Sequence, residues 1–502
     1  MKKSDKTSKK SVKRSHRISP IIIKSLIFTL PFLMGFIGFS VSGESPLQAI
    51  YASICLYGMG QKELPPNLFV EIARWVAPLC TVSVLLVVAK SIAYRLRAAI
   101  ALLSGKSVAI YGPTAEKKAM LKKLGGRGID VGEHPLRANS YILLGSEEEN
   151  LTYYNNYLSN TSAQVFAKCD SLPTVIGYEK LRLFYPEEMA ARIFWQKHSP
   201  YEISKANGHR ISIAMVGFGT LGREILLSAL QNNIFSPDQR ISYDIFGEEE
   251  GFTRIHYRLS EISDPVTFHA TPWYDHIDLL SSADMIILAE QKDQIALAVS
   301  MTLALPAKRI HVLSAIPTAT DLMAGEPKLH DLAVFDWRAI SSDPLYIIEE
   351  ETYYYAKRIN LRYANLFRQP SERLEETDEN ADAVWKELDS FSRLSNVRAA
   401  DFKHIVDRII GDHESCTPEQ IEALHPETFE QIAELEHMRW ARYHFLNNWQ
   451  YGEPVDGESR NKNVRMRVHR LLVPYGKLDE KDREMDRRNI RILLDVFKTK
   501  RK

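Results

Sequence analysis

Hydrophobic positions fall into three regimes along the chain. Two long apolar runs come first, ISPIIIKSLIFTLPFLMGFIGFSV over 18–41 and FVEIARWVAPLCTVSVLLVVAKSIAY over 69–94. Each has about the ~20 residues needed to cross bilayer hydrocarbon, so each predicts a membrane-spanning helix. Lys24, near the start of the first, can snorkel to the headgroups. Trp75 is an interface-type aromatic in the second, and Arg95 and Arg97 close it. The second regime, 101–345, carries short apolar runs such as SVAIYG, SYILLG, RISIAMVG, ISYDIFG and ADMIILA, alternating with helical patterns. Continuous short runs mark parallel strands buried on both faces, and the alternation predicts doubly wound α/β units. From 346 onward the chain is charged and helically spaced.

At 502 residues the chain exceeds one core, and a prior of ~100–200 residues per domain predicts three or four units. The patterning sets boundaries at 1–17, 18–100, 101–200, 207–345, 346–415 and 416–502. The formal net charge of +1 offers no basic footprint for nucleic acid. The charge is nevertheless uneven: the first 17 residues hold eight Lys or Arg and one Asp. That tail and the Arg pair after the second span place both ends in the cytoplasm, with a multi-pass topology in a bacterial inner membrane. A cleaved signal peptide would show a shorter apolar run and a small-residue cleavage site. Cys55, Cys80, Cys169 and Cys416 lie far apart, without the spacing of a zinc site or a disulfide framework.

Between the spans, 46–56 is apolar enough for a short re-entrant helix with Pro46 in its first turn. Leu56, Tyr57, Gly58, Met59 and Gly60 follow, an arrangement that resembles the pore helix and TVGYG filter of potassium channels. Alternating glycines let successive carbonyls point at one axis. Leu56 stands where the resemblance asks for threonine, Tyr57 for valine and Met59 for tyrosine. A helical hairpin with a glycine-containing turn that conducts nothing is the other reading. Glu71 and Arg74 fall one turn apart and predict a pair, either a pore-mouth element or an interfacial anchor.

The first α/β unit shows only Gly112 after its leading strand, so it predicts a partner domain without nucleotide. The second has Gly217, Gly219 and Gly222 in GxGxxG spacing between a strand and a helix. The first glycine permits the turn, the second admits a pyrophosphate, and the third lets helix and strand pack. Glu248 follows the next strand, where an acid reads a ribose hydroxyl. A Rossmann domain retained for structure alone remains the alternative. Two such units behind a pair of spans resemble the RCK (TrkA-N) domains of potassium channels and transporters. The resemblance implies NAD(H) or another nucleotide at the glycine turn. His256, His269, His276 and His311 are scattered, and no catalytic constellation marks an enzyme.

In the C-terminal part, Trp385 and the SNVRAA segment at 395–400 precede four blocks. These are Glu434 to Trp440 (ELEHMRW), NWQYG at 448–452, LVPY at 472–475 and LDEKDREMDR at 478–487. In order and spacing they resemble the ryanodine-receptor RyR repeat over 419–493; Arg470 stands where a proline is usual. Glu436, His437, Arg439 and Trp440 share about one helical turn. With Trp449 and Tyr451 they predict an aromatic cleft in which a base stacks and Arg439 meets a phosphate. Core tryptophans in a small helical domain are the alternative.

The expected fold is therefore multidomain: two transmembrane helices with a re-entrant loop, two Rossmann-like domains, and an all-α RyR-like end. The expected function is a ligand-gated, potassium-channel-like membrane protein with nucleotide-sensing cytoplasmic domains. Its partners would be lipid, a nucleotide-type small ligand and further copies of itself, most plausibly as a tetramer. A membrane-tethered sensor or effector in stress or phage-defence signalling, without conduction, is the alternative, and a membrane oxidoreductase a third.

Overall fold

The computed structural model describes residues 20–60, 65–131, 135–170, 181–249, 251–290, 292–305, 308–314, 332–411, 416–454 and 461–498, with side chains from 28 onward. The basic tail and Lys24 therefore lie outside the described side chains. The chain divides into two units, 1–104 and 105–502.

The first unit consists of three helices, α1 (Pro20–Val41), α2 (Pro46–Tyr57) and α3 (Leu68–Leu103). Among the described residues α3 is the one helix long and apolar enough to cross a membrane; Phe28–Val41 is a shorter apolar stretch. At ~1.5 Å per residue its 36 residues are longer than a ~30 Å hydrocarbon layer is thick. Short helix α2 starts at Ser45, whose hydroxyl accepts from the Gln48 N–H, with Pro46 at its first position. Its face Ala49, Ala52, Ser53 and Leu56 is buried, packing with Phe39 of α1 and Val70, Ala73 and Ala77 of α3. Small residues let these backbones close in: a Cβ on Gly38 would stand 2.6 Å from Val70 Cγ2. Beyond that seam α3 carries large exposed apolar side chains, with Trp75 71% and Val87 67% exposed. Glu71 and Arg74 pair at 3.6 Å.

The filter reading of this loop is corrected by the backbone. Leu56 and Tyr57 belong to α2, and the carbonyls of these first two filter positions are hydrogen-bonded within the unit. Cys55 O accepts from Gly58 and Gly60 N–H, Leu56 O from Met59 N–H, and Tyr57 O from the Thr81 hydroxyl at 2.9 Å. Gly58 (φ −101°) and Met59 (φ 55°) form a helix-ending turn.

The second unit contains two parallel sheets. The first has β1 (Val108–Tyr111), β2 (Gly128–Asp130), β3 (Ser140–Leu143), β4 (Gln164–Lys168) and β5 (Leu181–Phe184) in the order β2-β1-β3-β4-β5. Helix α4 (Thr114–Leu124) follows β1, α5 (Glu147–Tyr153) follows β3, and α6 (Pro186–Lys197) leaves β5. After α7 (Tyr201–Ala206) the second sheet holds β6 (Arg210–Val216), β7 (Arg240–Phe246), β8 (Val266–His269), β9 (Met285–Leu288), β10 (Ile310–Ser314) and β11 (Leu332–Asp336). Its order is β11-β10-β9-β6-β7-β8, the 3-2-1-4-5-6 arrangement of doubly wound dinucleotide-binding sheets read from β8. Helices α8 (Thr220–Asn232), α9 (Phe252–Ile255), α10 (Ile277–Ser282) and α11 (Gln294–Ala304) connect these strands.

The remaining helices are α12 (Trp337–Ser341), α13 (Pro344–Ile347), α14 (Glu351–Leu366), α15 (Asp378–Lys386), α16 (Ser390–Ile410), α17 (Pro418–Leu424), α18 (Pro426–Leu446) and α19 (Glu480–Val496). Strands β12 (Gln450–Tyr451), β13 (Lys462–Asn463) and β14 (Val468–His469) form a small sheet between the last two helices. Buried ion pairs fix α6 to α16: Arg192 donates to both Asp401 oxygens at 2.6 and 2.9 Å and to the Thr352 carbonyl at 2.7 Å, and Arg398 meets Glu188 at 3.0 Å. Breaking one partner of such a pair strands a buried charge, at a cost of roughly 3–5 kcal/mol.

Candidate nucleotide site

Strand β6 is buried over Ile213–Val216, and its continuous apolar run forces the chain to turn where the sheet meets solvent. Gly217 makes that turn at φ +93°, its N–H donating to Phe246 O at 2.8 Å. A Cβ there would lie 2.4 Å from the Glu290 backbone nitrogen, beyond the end of β9. Gly222 sits in the first turn of α8, where a Cβ would approach Gly217 O to 2.7 Å. Gly219 differs from both: its backbone is extended (φ −75°, ψ −164°), and no atom lies within 4 Å of where a Cβ would be. Two glycines thus close the turn, and the middle one faces empty space.

Gly219 is also the N-cap of α8 and offers no side chain to the first-turn N–H groups. That 13-residue helix is held by Leu221, Ile225, Leu226, Ala229 and Leu230 in the core. Its N-terminal N–H groups and positive dipole end face the edge of the sheet where an anion binds in this fold. Strand β7 runs parallel to β6 with Phe246 opposite Val216, so Glu248 emerges exposed at the same edge. The acid and the glycine turn are therefore brought to one end of the sheet.

Sequence reading missed two parts of this corner. Gly247 is required for approach, since a Cβ there would stand 2.9 Å from both Phe218 N and Cβ. The only signal was a glycine directly after an apolar strand. The second part is an aromatic cluster at the ends of β7 and β8. His269 stacks on Phe246 at 4.6 Å, and His276 lies 4.8 Å from His269. His269 Nε2 bonds Asp244 at 2.8 Å, and His276 Nε2 bonds Thr271 at 2.6 Å. The other two histidines lie elsewhere: His256 meets Leu446 O, and His311 packs against His198, where desolvation of its ring pushes its pKa down to about 3.

The C-terminal cleft is corrected more strongly. Glu436 and Arg439 are spent on each other in a buried bidentate pair at 2.7 and 2.8 Å, with Arg439 only 2% exposed, so no phosphate reaches that guanidinium. His437 lies between Asp486 (3.2 Å) and Val473 O (2.9 Å). Burial opposes its charge, but the hydrogen bond and charge of Asp486 outweigh this and hold its pKa above the ordinary imidazole value. Trp440 stacks on His437 at 5.5 Å and meets His444 at 4.2 Å and His469 at 4.8 Å. Trp449 is buried and stacks on Phe391 at 5.4 Å. Burial drives the pKa of His444 down to about 3 and that of His469 to about 4, so both rings are neutral wall elements. Tyr451, on β12, is exposed. Five of the six predicted residues thus share one aromatic and ionic core, and the sixth stands outside it.

Comparison with known proteins bears chiefly on this last region. Residues 419–499 match the family model of the RyR domain. None of the curated proteins matches the chain. Among solved structures, the chain is similar to a crystal structure of a GsuK mutant, at 13% identity over 66% of this chain and 97% of that one, with a TM-score of 0.34. The GsuK channel bound to NAD is similar at 11% identity over 67% and 84%, TM-score 0.34. A dipicolinate synthase chain from Bacillus halodurans is similar at 12% identity over 48% and 96%, TM-score 0.23. The chain therefore carries a RyR domain at 419–499, behind two parallel α/β sheets.

Proposed function

We propose that this protein is a membrane-anchored sensor of a dinucleotide, NAD(H) in the first instance, bound at the edge of the second sheet. The observation that carries the reading is the open space over Gly219, between two glycines that close the turn and ahead of an uncapped helix. In this reading the pyrophosphate lies against Gly219 and the α8 N-terminus, and Glu248 accepts from a ribose hydroxyl. The site binds its ligand without consuming it. NADH fluorescence titration of the full chain in detergent tests this. Saturable binding that Glu248→Ala weakens supports it, and no binding of NADH, NAD or NADPH overturns it.

The output supported by the first unit is conduction by a homo-oligomer, since a half-length helix held between two longer ones is the layout of a pore hairpin. Two spans enclose no pore alone, so a tetramer is the assembly proposed. The hydrogen-bonded carbonyls at 55–57 favour the second reading, a tether without conduction. Ion flux from liposomes holding the full chain, with and without NADH, separates the two: flux sinks the tether, and none under any ligand sinks the pore.

A further inference from the structure

Charge is polarised across the first sheet. Its strands pair in parallel, so all of them begin at one edge and end at the other. The edge where strands end is acidic: Asp130 closes β2, Asp170 follows β4, and α4, α5 and α6 start there with glutamates in their first turns. The edge where strands begin is basic. Lys106 precedes β1, Arg127 precedes β2, Arg137 precedes β3, and Lys122 stands in the last turn of α4, which returns the chain to this edge. All four are exposed, and none of their side chains makes a hydrogen bond or ion pair among the described residues. The segments 104–107, 121–127, 135–139 and 159–163, which lead into β1 to β4, contain no Asp or Glu.

Helix dipoles account for part of this pattern. Glutamates suit the helix N-termini, and Lys122 and Lys123 suit the end of α4, where Asp343 also holds Lys123 at 2.9 Å. Dipoles do not account for Lys106, Arg127 and Arg137, which lie outside any α-helix on three segments that only the parallel pairing brings to one edge. A surface that faces only water intersperses the two signs of charge. This edge carries one sign, and Leu136, 38% exposed, stands next to Arg137 on it. It is also the edge by which the chain enters the unit, since only residues 104–107 separate α3 from β1.

We propose that this edge rests on the headgroups of an anionic bilayer, with Lys106, Lys122, Arg127 and Arg137 as its phosphate contacts. The proposal rests on the reading that α3 crosses that bilayer. Connectivity favours lipid over a soluble anion, because a patch on so short a link from a membrane span meets headgroups without a bimolecular search. Each cation close to an anionic surface contributes roughly fivefold in affinity, and salt screens the attraction.

The test places the full chain in nanodiscs of phosphatidylcholine, or of an equimolar mixture with phosphatidylglycerol, and follows acetylation of each lysine by mass spectrometry. Lys106 and Lys122 should react at least ~5-fold more slowly in the mixture and regain the neutral-lipid rate at ~1 M salt, where the Debye length is ~3 Å. Lys477 and Lys481, exposed on the RyR domain, are the references and should not change. Arg127→Glu with Arg137→Glu should abolish the protection and leave the melting curve within a few degrees of the parent. Equal rates at Lys106 and Lys122 in the two lipids, equal slowing at Lys477 and Lys481, or protection that survives in the folded double variant overturns the proposal. Equal protection in neutral lipid by soluble inorganic phosphate also overturns it, by assigning the edge to a free anion. Alkaline carbonate extraction of liposomes holding the full chain reads the span separately. A chain that is stripped overturns the span and the contact together; a chain that stays, with equal lysine rates, overturns the contact alone.

Discussion

Alanine at Gly219 and alanine at Gly217 should have opposite consequences, although the two glycines are two residues apart. At Gly217 the backbone lies at φ +93°, which costs an L-residue roughly 1–2 kcal/mol. The new methyl would also overlap the Glu290 backbone at 2.4 Å, and a backbone cannot swing aside as a side chain does. Overpacking of that kind adds roughly 1–3 kcal/mol, so Gly217→Ala should lose about 2–5 kcal/mol. At Gly219 the backbone is ordinary and the methyl meets nothing within 4 Å. Loss of a glycine cap costs a few tenths to about 1 kcal/mol, and reduced freedom of the unfolded chain returns a similar amount. Gly219→Ala should therefore fold as the parent does and melt within a few degrees of it. Its methyl stands where the pyrophosphate must approach, so NADH affinity should fall at least ~10-fold, equivalent to ~1.4 kcal/mol. Thermal melting and NADH fluorescence on the same preparations read both quantities. Parental NADH affinity in Gly219→Ala, or a parental melting temperature in Gly217→Ala, would refute the reasoning.

The buried rings of His444 and His469 make the RyR domain acid-labile. Both folded pKa values lie below the ordinary 6.5, at about 3 and about 4, so their stability is present above pH 6.5 and lost as pH falls towards 4. By pH 4.5 each ring costs on the order of 2–3 kcal/mol, and tryptophan fluorescence melts at pH 7 and pH 4.5 should differ visibly; coincident curves would contradict the assigned burial. His437 has the reverse sign. Its pKa is raised, so its contribution is full below pH 6.5 and fades as pH climbs through the folded value, and His437→Gln should flatten the alkaline side of the profile. Arg442 donates to Asp264, whose side chain is fully buried, at 2.6 Å. Arg442→Ala should cost roughly 3–5 kcal/mol and Arg442→Ala with Asp264→Ala distinctly less; equal losses in the two would show that the pair is not the cause.

The strands were legible because a sheet covered on both faces demands unbroken apolar runs, and RISIAMV and MIIL can hardly be read otherwise. The glycine turn was legible because each of its three positions answers a separate steric demand. Where the filter was expected, string resemblance competed with periodicity. Ala49, Ala52, Ser53 and Leu56 recur at i, i+3, i+4 and i+7, and no helix-breaking residue stands before Gly58, so the helix runs on through Tyr57. In the RyR domain, residue types that suit a ligand also suit each other. Glu436 and Arg439, three apart on α18, satisfied their charges locally, and only packing against α19 reveals that they are interior.

The RyR domain is attached to the second sheet at a particular place. The chain between β7 and β8 begins beside Glu248 and is the segment that α18 grips. Arg442 reaches Asp264, Ser263 Oγ at 3.3 Å and the Leu230 carbonyl near the end of α8 at 3.4 Å. The end of α18 and the loop after it close the other side: Leu446 O meets His256 at 2.6 Å, and Asn448 donates to Ile255 O at 2.7 Å. The helix whose N-terminus faces Gly219 and the crossover that leaves Glu248 therefore share one partner, α18. A dinucleotide that pulls Glu248 towards the glycine turn must either carry the RyR domain with it or strain these bonds. Binding free energies are reciprocal, so if the proposed dinucleotide favours one arrangement of the crossover, a ligand of the RyR domain that discriminates the same arrangements alters dinucleotide affinity by the factor by which the dinucleotide alters its own. The size of that factor is set by the difference in affinity between two arrangements of the crossover, and by nothing else in either ligand.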